Sequence, residues 1–280
     1  MTIDTLLTPT SPAPLGATGR FWAIVPCAGV GARAIATALQ AAGGPVPKQY
    51  QPVAGHPMVM HTLAAFAGVS RLLGTLVAVA PGDTFFDSHA QALSTFFVLP
   101  CGGATRADTV RGGLHALRER GAGDDDWVLV HDAARCLVTT AQIDTLIDAC
   151  AGDAVGGLLA HKLADTLKTA TEGLGGVRVA STVDRSDKWL AQTPQMFRLG
   201  PLLQALEHVG AQATDEASAM EAMGLHPRLV PGSAQNFKVT YPDDFALAAA
   251  VLAQRMHGAT LERFGGHRGE VSATPARTIF

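Results

Sequence analysis

The residues with most chemistry to offer come early. A glycine-bearing turn, Pro26-Cys27-Ala28-Gly29-Val30-Gly31, is followed by two cations, Arg33 and Lys48. Glycines let backbone N–H groups close on an anion, and full positive charges beside them make such a turn a place to hold phosphate. The surroundings agree: no Asp or Glu occurs between Asp4 and Asp83, while Arg20, Arg33, Lys48 and Arg71 lie inside that span of a chain whose net charge is -3. On the plainest reading Gly29 and Gly31 are turn glycines. The run Gly29 to Ala34 also fits G-x-G-x-x-A, yet a dinucleotide site wants an acid about 20 residues further on, and none precedes Asp83. A Walker loop is excluded because no Gly-Lys-Ser/Thr follows.

These residues need elements to position them. Phe21 to Val25 is a short apolar run suited to a buried parallel strand, so the glycine turn sits where a strand ends. Further strands are predicted at Leu76–Ala80, Phe96–Leu99, Trp127–Val130 and Val155–Ala160, with short ones at Arg228–Val230 and Phe237–Val239. Helical spacing marks Met58–Val69, Thr105–Arg120, Ile143–Cys150, Leu199–His208, Asp215–Met223 and Asp243–Met256. Thr214 reads as the N-cap of the fifth of these, with Ala217 leaving its capping box incomplete. Strands alternating with helices predict a doubly wound α/β domain. His131-Asp132 then falls just past a strand's carboxyl end, where open parallel sheets place their ligands. His131 reads as a packed histidine, and Asp132 as a capping or turn acid on local sequence alone. Asp124-Asp125-Asp126 reads as a solvated loop.

The 280 residues, 48% apolar and 16% charged, describe one large globular domain. An acidic balance argues against nucleic acid as a partner. Cys27, Cys101, Cys136 and Cys150 form no CxxC pair, so reduced thiols in a cytoplasmic protein are expected. Residues 1–19 read as a flexible leader with neither a basic region nor an apolar core of signal-peptide type, and no run approaches a membrane span. Residues 20–258 form the domain, and 259–280 read as a mobile tail.

Taken in order, the motifs resemble a known family. Pro26 to Arg33 with Pro47-Lys48-Gln49-Tyr50 looks like the signature of the nucleotidyltransferases that load CTP onto 2-C-methyl-D-erythritol 4-phosphate in the non-mevalonate isoprenoid pathway. Gly102-Gly103 with Arg106 and Thr109, Val130 to Arg135, Asp165-Thr166, Thr182 to Arg185, Gln192 to Gln195, Thr214 to Ser218 and Asn236 to Thr240 follow in the same order, covering residues 20–255. The resemblance implies a Rossmann-like, mostly parallel sheet of the nucleotide-diphospho-sugar transferase type, with a β-arm at about 161–183 that forms a homodimer. It implies CTP contacts from Pro26, Ala28, Gly29, Gly31, Lys48, Gly102, Thr109 and Ala133. Polyol-phosphate contacts would come from Asp132, Arg135, Thr166, Arg185, Thr214 and Lys238, and catalysis from Arg33, Lys48, Arg185 and Lys238. Beside a triphosphate an acid repels substrate unless a cation intervenes, so Asp132 is expected to hold Mg2+. The chain departs from the family at Ala32, where many relatives have a second basic residue, at Cys136, which replaces a proline, and in a longer link, Ile35–Val46, expected to act as a lid. A cytidylyltransferase for another polyol phosphate, such as ribitol 5-phosphate, and a non-catalytic nucleotide-binding module are the alternatives.

Overall fold

A computed structural model describes residues 19–29, 46–88 and 96–265, except the side chains of 211 and 258–265. Gly31, Arg33, most of the Ile35–Val46 link, the leader and the end of the tail therefore lie outside the described residues.

Seven strands form one sheet in the order β11-β7-β10-β6-β1-β4-β5. In chain order they are β1 (Phe21–Pro26), β4 (Leu72–Ala78), β5 (Phe97–Leu99), β6 (Trp127–Val130), β7 (Gly156–Lys162), β10 (Trp189–Arg198) and β11 (Arg228–Pro231). All neighbours run parallel except β10, which is antiparallel to both β6 and β7. A minor ribbon pairs β2 (Pro52–Val53) with β3 (His56–Pro57), and a hairpin pairs β8 (Leu167–Gly173) with β9 (Gly176–Val183). Among the described residues no helix is long and apolar enough to cross a membrane.

Both faces of the central sheet are covered, which is why its strands read as continuous apolar runs. Along β1 the side chains alternate. Trp22 and Ile24 face the cluster that holds Val110, Leu114 and Leu117 of α2 (Arg106–Glu119), together with α4 (Leu199–Val209) and α5 (Glu216–Ala222). Ala23 faces Phe66 of α1 (Met58–Ala67) and Ile143, Leu146 and Ile147 of α3 (Thr140–Cys150) on the other side. The doubly wound, mostly parallel sheet expected from sequence is thus what forms.

Four local expectations are corrected. The N-cap of α5 is Asp215 rather than Thr214, and its box is complete: the Asp215 carboxylate accepts from the Ser218 N–H at 2.9 Å while the Ser218 hydroxyl accepts from the Asp215 N–H at 3.1 Å. Phe237–Val239 is an irregular segment, not a strand, because its backbone is spent on loops: Val239 N donates to Ala134 O at 2.9 Å. Asp126 is not a solvated loop acid. It is buried and accepts from the Arg20 and Trp22 side chains and from the Gly123 N–H, so it knots the edge of β1 to the start of β6. The closing helix α6 runs from Pro242 to Gly265, past Met256 where the apolar pattern fades.

The β8–β9 hairpin stands away from the sheet. Gly175, at φ 83°, supplies the left-handed conformation its tight tip requires. Leu174 is 97% exposed, and Val177 and Val179 are 65% exposed. That is more apolar surface than an isolated ribbon keeps in water.

Candidate active site

The glycine loop leaves the carboxyl end of β1, and Gln49 pins it. The buried Gln49 amide donates to Cys27 O at 2.7 Å and to Gly29 O at 2.9 Å. Gln49 comes from a single 3-10 turn, Lys48–Tyr50, anchored in turn by Tyr50, whose ring stacks on Phe85 at 3.8 Å and whose hydroxyl donates to Asp83 at 2.6 Å. Lys48 is thereby set at the cleft, where its ammonium donates to Val239 O at 2.6 Å. Burial, with the charge of Asp83, pushes the Cys27 thiol far up, so Cys27 is no nucleophile.

The opposite wall is the start of α2. Thr105 caps the helix in a complete box with Asp108, and the helix start lines the cleft through Gly103, Ala104, Thr105 and Arg106, setting the positive end of the helix dipole beside it. Thr109 is buried, and its hydroxyl accepts from Gly103 N at 3.1 Å and donates to Thr105 O at 3.0 Å, so it shapes this loop. Gly102 N donates to Val79 O at 2.8 Å. A Cβ on Gly102 would overlap the Ala28 Cβ and the Val79 carbonyl, so glycine is what allows the two loops to touch.

The floor is Asp132, just past β6. Arg106 Nε donates to its Oδ1 at 2.8 Å and Lys238 Nζ to its Oδ2 at 2.7 Å, with Arg135 Nε 4.0 Å away. Burial would push the Asp132 carboxyl up, but the Arg106 and Lys238 charges outweigh it and hold the group well below the usual carboxylate range. Both oxygens accept from cations, so a Mg2+ held by Asp132 would take the place of Arg106 or Lys238 there and draw its other ligands from substrate phosphates. Here Asp132 orders positive charge.

His131 supports Asp132 from behind. Its Nε2–H donates to Arg135 O at 3.2 Å, so Nδ1 is the acceptor from the Thr193 hydroxyl at 3.0 Å, and the Thr193 oxygen accepts from Asp132 N at 3.0 Å. Burial pushes the imidazole down to about 4, keeping it neutral. A folded-state pKa below the ordinary 6.5 contributes stability that is full above 6.5 and lost as pH falls to about 4. At most about 3 kcal/mol is at stake. Urea midpoints should therefore fall between about pH 7 and about pH 4 more steeply for the native chain than for His131→Gln. Equal slopes would show that His131 does not carry this pH dependence.

The cleft brings together Pro26, Ala28, Gly29, Lys48, Thr109, Asp132, Ala133 and Lys238 of the expected residues. Arg135 lies beside it, its guanidinium donating to Asn236 O at 2.7 Å and Ala191 O at 3.1 Å. Thr166 and Arg185 are exposed at the base of the hairpin, and Thr214 is exposed ahead of α5; none of these lines the cleft. Gln49 and Arg106 line it and were not among the expected site residues. The signal for both was their place inside motifs already noted, one beside Lys48 and the other after Gly103.

A mostly parallel sheet whose loops enclose a cation-lined, glycine-walled cleft at its carboxyl edge defines an α/β protein suited to phosphorylated ligands. Comparison with known proteins narrows this class. The family model "IspD: 2-C-methyl-D-erythritol 4-phosphate cytidylyltransferase" matches residues 21–254, and the chain belongs to that family. It is 49% identical over 244 residues to the 2-C-methyl-D-erythritol 4-phosphate cytidylyltransferase of Paraburkholderia phymatum, covering 86% of this chain and 100% of that one. It is 62% identical over 241 residues to a bifunctional enzyme IspD/IspF of Albidiferax ferrireducens, covering 86% of this chain but 55% of that protein. Among solved structures, a 4-diphosphocytidyl-2C-methyl-D-erythritol synthase superposes with a TM-score of 0.71 at 38% identity, covering 84% of this chain and 99% of that one. The Francisella tularensis cytidylyltransferase gives 0.66 at 32% identity, covering 82% and 98%. The family resemblance drawn from the motifs is borne out.

Proposed function

We propose that this chain transfers the cytidylyl group of CTP to 2-C-methyl-D-erythritol 4-phosphate, giving 4-diphosphocytidyl-2-C-methyl-D-erythritol and pyrophosphate. The observation that carries the reading is the cleft lined by Lys48, Arg106 and Lys238, the last two paired with Asp132, at the start of α2 in a chain of this family.

A phosphate monoester with a second pKa of about 6 is largely dianionic at neutral pH, so its oxygen attacks without a general base. The new bond forms at the α-phosphorus as the bond to the β-phosphate bridging oxygen breaks, and that electron pair leaves on pyrophosphate. What the protein must supply is alignment of two anions and compensation of charge developing on phosphorus. In this reading the glycine loop and the start of α2 seat the triphosphate. Lys48, with Arg33, stabilises the transition state, and Lys238 and Arg135 face the incoming phosphate. Thr214 supplies a hydroxyl to the same substrate. Mg2+, the divalent ion suited to phosphate oxygens, belongs to the reading as a companion of the triphosphate, and no step is assigned to it.

The hairpin completes the picture as an arm onto a second copy of the chain, delivering Thr166 and Arg185 to the neighbour's cleft. Its exposed Leu174, Val177 and Val179 support a homodimer. A cytoplasmic location suits the four free thiols. Pyrophosphate release from CTP, measured with each polyol phosphate in turn, tests the assignment. Turnover should require 2-C-methyl-D-erythritol 4-phosphate, with ribitol 5-phosphate at least about 100-fold poorer because its different shape leaves site groups unpaired. Preference for ribitol 5-phosphate would replace the assigned substrate.

A further inference from the structure

Glu216 stands behind the cleft, fully buried and outside its lining. Its carboxylate accepts from both terminal nitrogens of Arg106, Nη1 to Oε1 at 2.6 Å and Nη2 to Oε2 at 3.0 Å. The Arg106 Nε–H reaches Asp132 Oδ1 at 2.8 Å, while Lys238 takes Oδ2 at 2.7 Å. Acid and base therefore alternate in a row from Glu216 through Arg106 and Asp132 to Lys238.

We propose that Glu216 is a positioning residue for Lys238, acting through Arg106 and Asp132; the inference rests on the phosphate-facing role of Lys238 given above. The reason is the geometry of the guanidinium fork. With the guanidinium held end-on by Glu216, its orientation lets Arg106 meet Asp132 through Nε alone and leaves Oδ2 to Lys238. Released from Glu216, the fork is free to take Asp132 with two parallel hydrogen bonds, the favoured arrangement of an arginine and a carboxylate, and to compete with Lys238 for its anchor. Stability alone is a poor reason to keep such a group, since buried ion pairs roughly break even against well-packed apolar residues. Glu216 is itself rigidly placed. The Asp215–Ser218 box fixes the first turn of α5, and buried Gln195 accepts from Ala217 N at 2.8 Å and donates to Asp215 Oδ2 at 2.9 Å. The same turn follows Thr214, so the segment that meets the polyol phosphate also sets the lysine.

The test uses Glu216→Gln, Lys238→Ala and the double variant in the full chain, read by pyrophosphate release with thermal melting as the control for folding. Glu216→Gln should lower kcat/KM for the polyol phosphate by about 10–100-fold, the loss expected for one charged hydrogen-bonding partner, and leave the KM for CTP within about 3-fold. In the Lys238→Ala background the same change should cost less than about 3-fold, because the group it serves is gone. A merely structural role would cost the same factor in both backgrounds, and that result overturns the inference. Impaired Lys238→Ala beside unimpaired Glu216→Gln overturns the inference alone; full turnover by Lys238→Ala overturns the reading of Lys238 and the inference with it. Should Glu216→Gln not fold, Glu216→Asp keeps the charge but cannot span both nitrogens. Its loss should likewise vanish when Lys238 is absent, and equal losses in the two backgrounds overturn the proposal.

Discussion

Lys48→Ala should keep its fold and bind CTP, yet turn it over about 10²–10³-fold more slowly, the effect of deleting one preorganised group that stabilises developing charge. The position explains why the loss should fall on kcat. Lys48 begins the turn that carries Gln49 and Tyr50, and its ammonium is tied to Val239 O at 2.6 Å, one residue after Lys238. It therefore bridges the glycine-loop wall and the segment bearing the second lysine, and it is already in place before substrate arrives. A group that needs no reorganisation at the moment of reaction is worth most in the transition state. Because Gln49 and Tyr50 carry the anchoring contacts of this turn, truncating Lys48 leaves the glycine loop held, and melting temperature should move little. Steady-state kinetics and a CTP titration separate the two effects. Turnover within a few-fold of the native chain would remove Lys48 from the transition state.

The second large effect is a gain of activity. Arg185→Ala and Lys48→Ala chains should each be inactive alone, and an equal mixture should recover up to roughly a quarter of native activity if subunits exchange freely. Random pairing makes half the dimers mixed, and each mixed dimer then holds one site with both residues intact. The motive is the placement of Arg185 and Thr166, exposed at the base of the hairpin and absent from the cleft of their own chain, next to apolar side chains open to solvent. Native mass spectrometry should show the mixed dimers. Mixed dimers without activity would place Arg185 in its own chain's site.

The sequence made some of this legible and hid the rest for definite reasons. Local signals survived: the apolar run of β1, the glycines at its end, Asp132 after β6 and Thr105 before α2 each depend on neighbours within a few residues. Long-range pairings did not. Arg106 and Glu216 lie 110 residues apart, and nothing in either segment announces that one guanidinium will join an acid of α5 to an acid after β6. Asp126 misled because a run of acids usually faces water; its partners Arg20 and Trp22 lie at the start of the first strand, 106 and 104 residues away in sequence. Asp132 was recognised as important, but its pairing with Arg106 and Lys238, which offsets the repulsion it poses to phosphate, joins segments 26 and 106 residues apart and was not legible. At α5, Thr214 and Asp215 are both plausible caps one residue apart, and only the backbone chooses between them.

The pairing of β10 with β7 is interrupted between Ala191 and Gln195: the first faces Ala160 and the second Leu158, so the longer strand carries extra residues. In that interruption sit Gln192, which exchanges hydrogen bonds with Ser233, and Thr193, which holds His131 and Asp132 N. Gln195, at its end, secures the start of α5. A bulge of this kind uncouples the alignment of one stretch of strand from the next. It follows that the exposed half of β10 and the hairpin before it can drift in sequence and in length through evolution without dragging the buried half out of step. Changes within Gln192–Gln195 have no such freedom, and a single deletion there would reach both the His131–Asp132 turn and the Ser233–Asn236 segment at once.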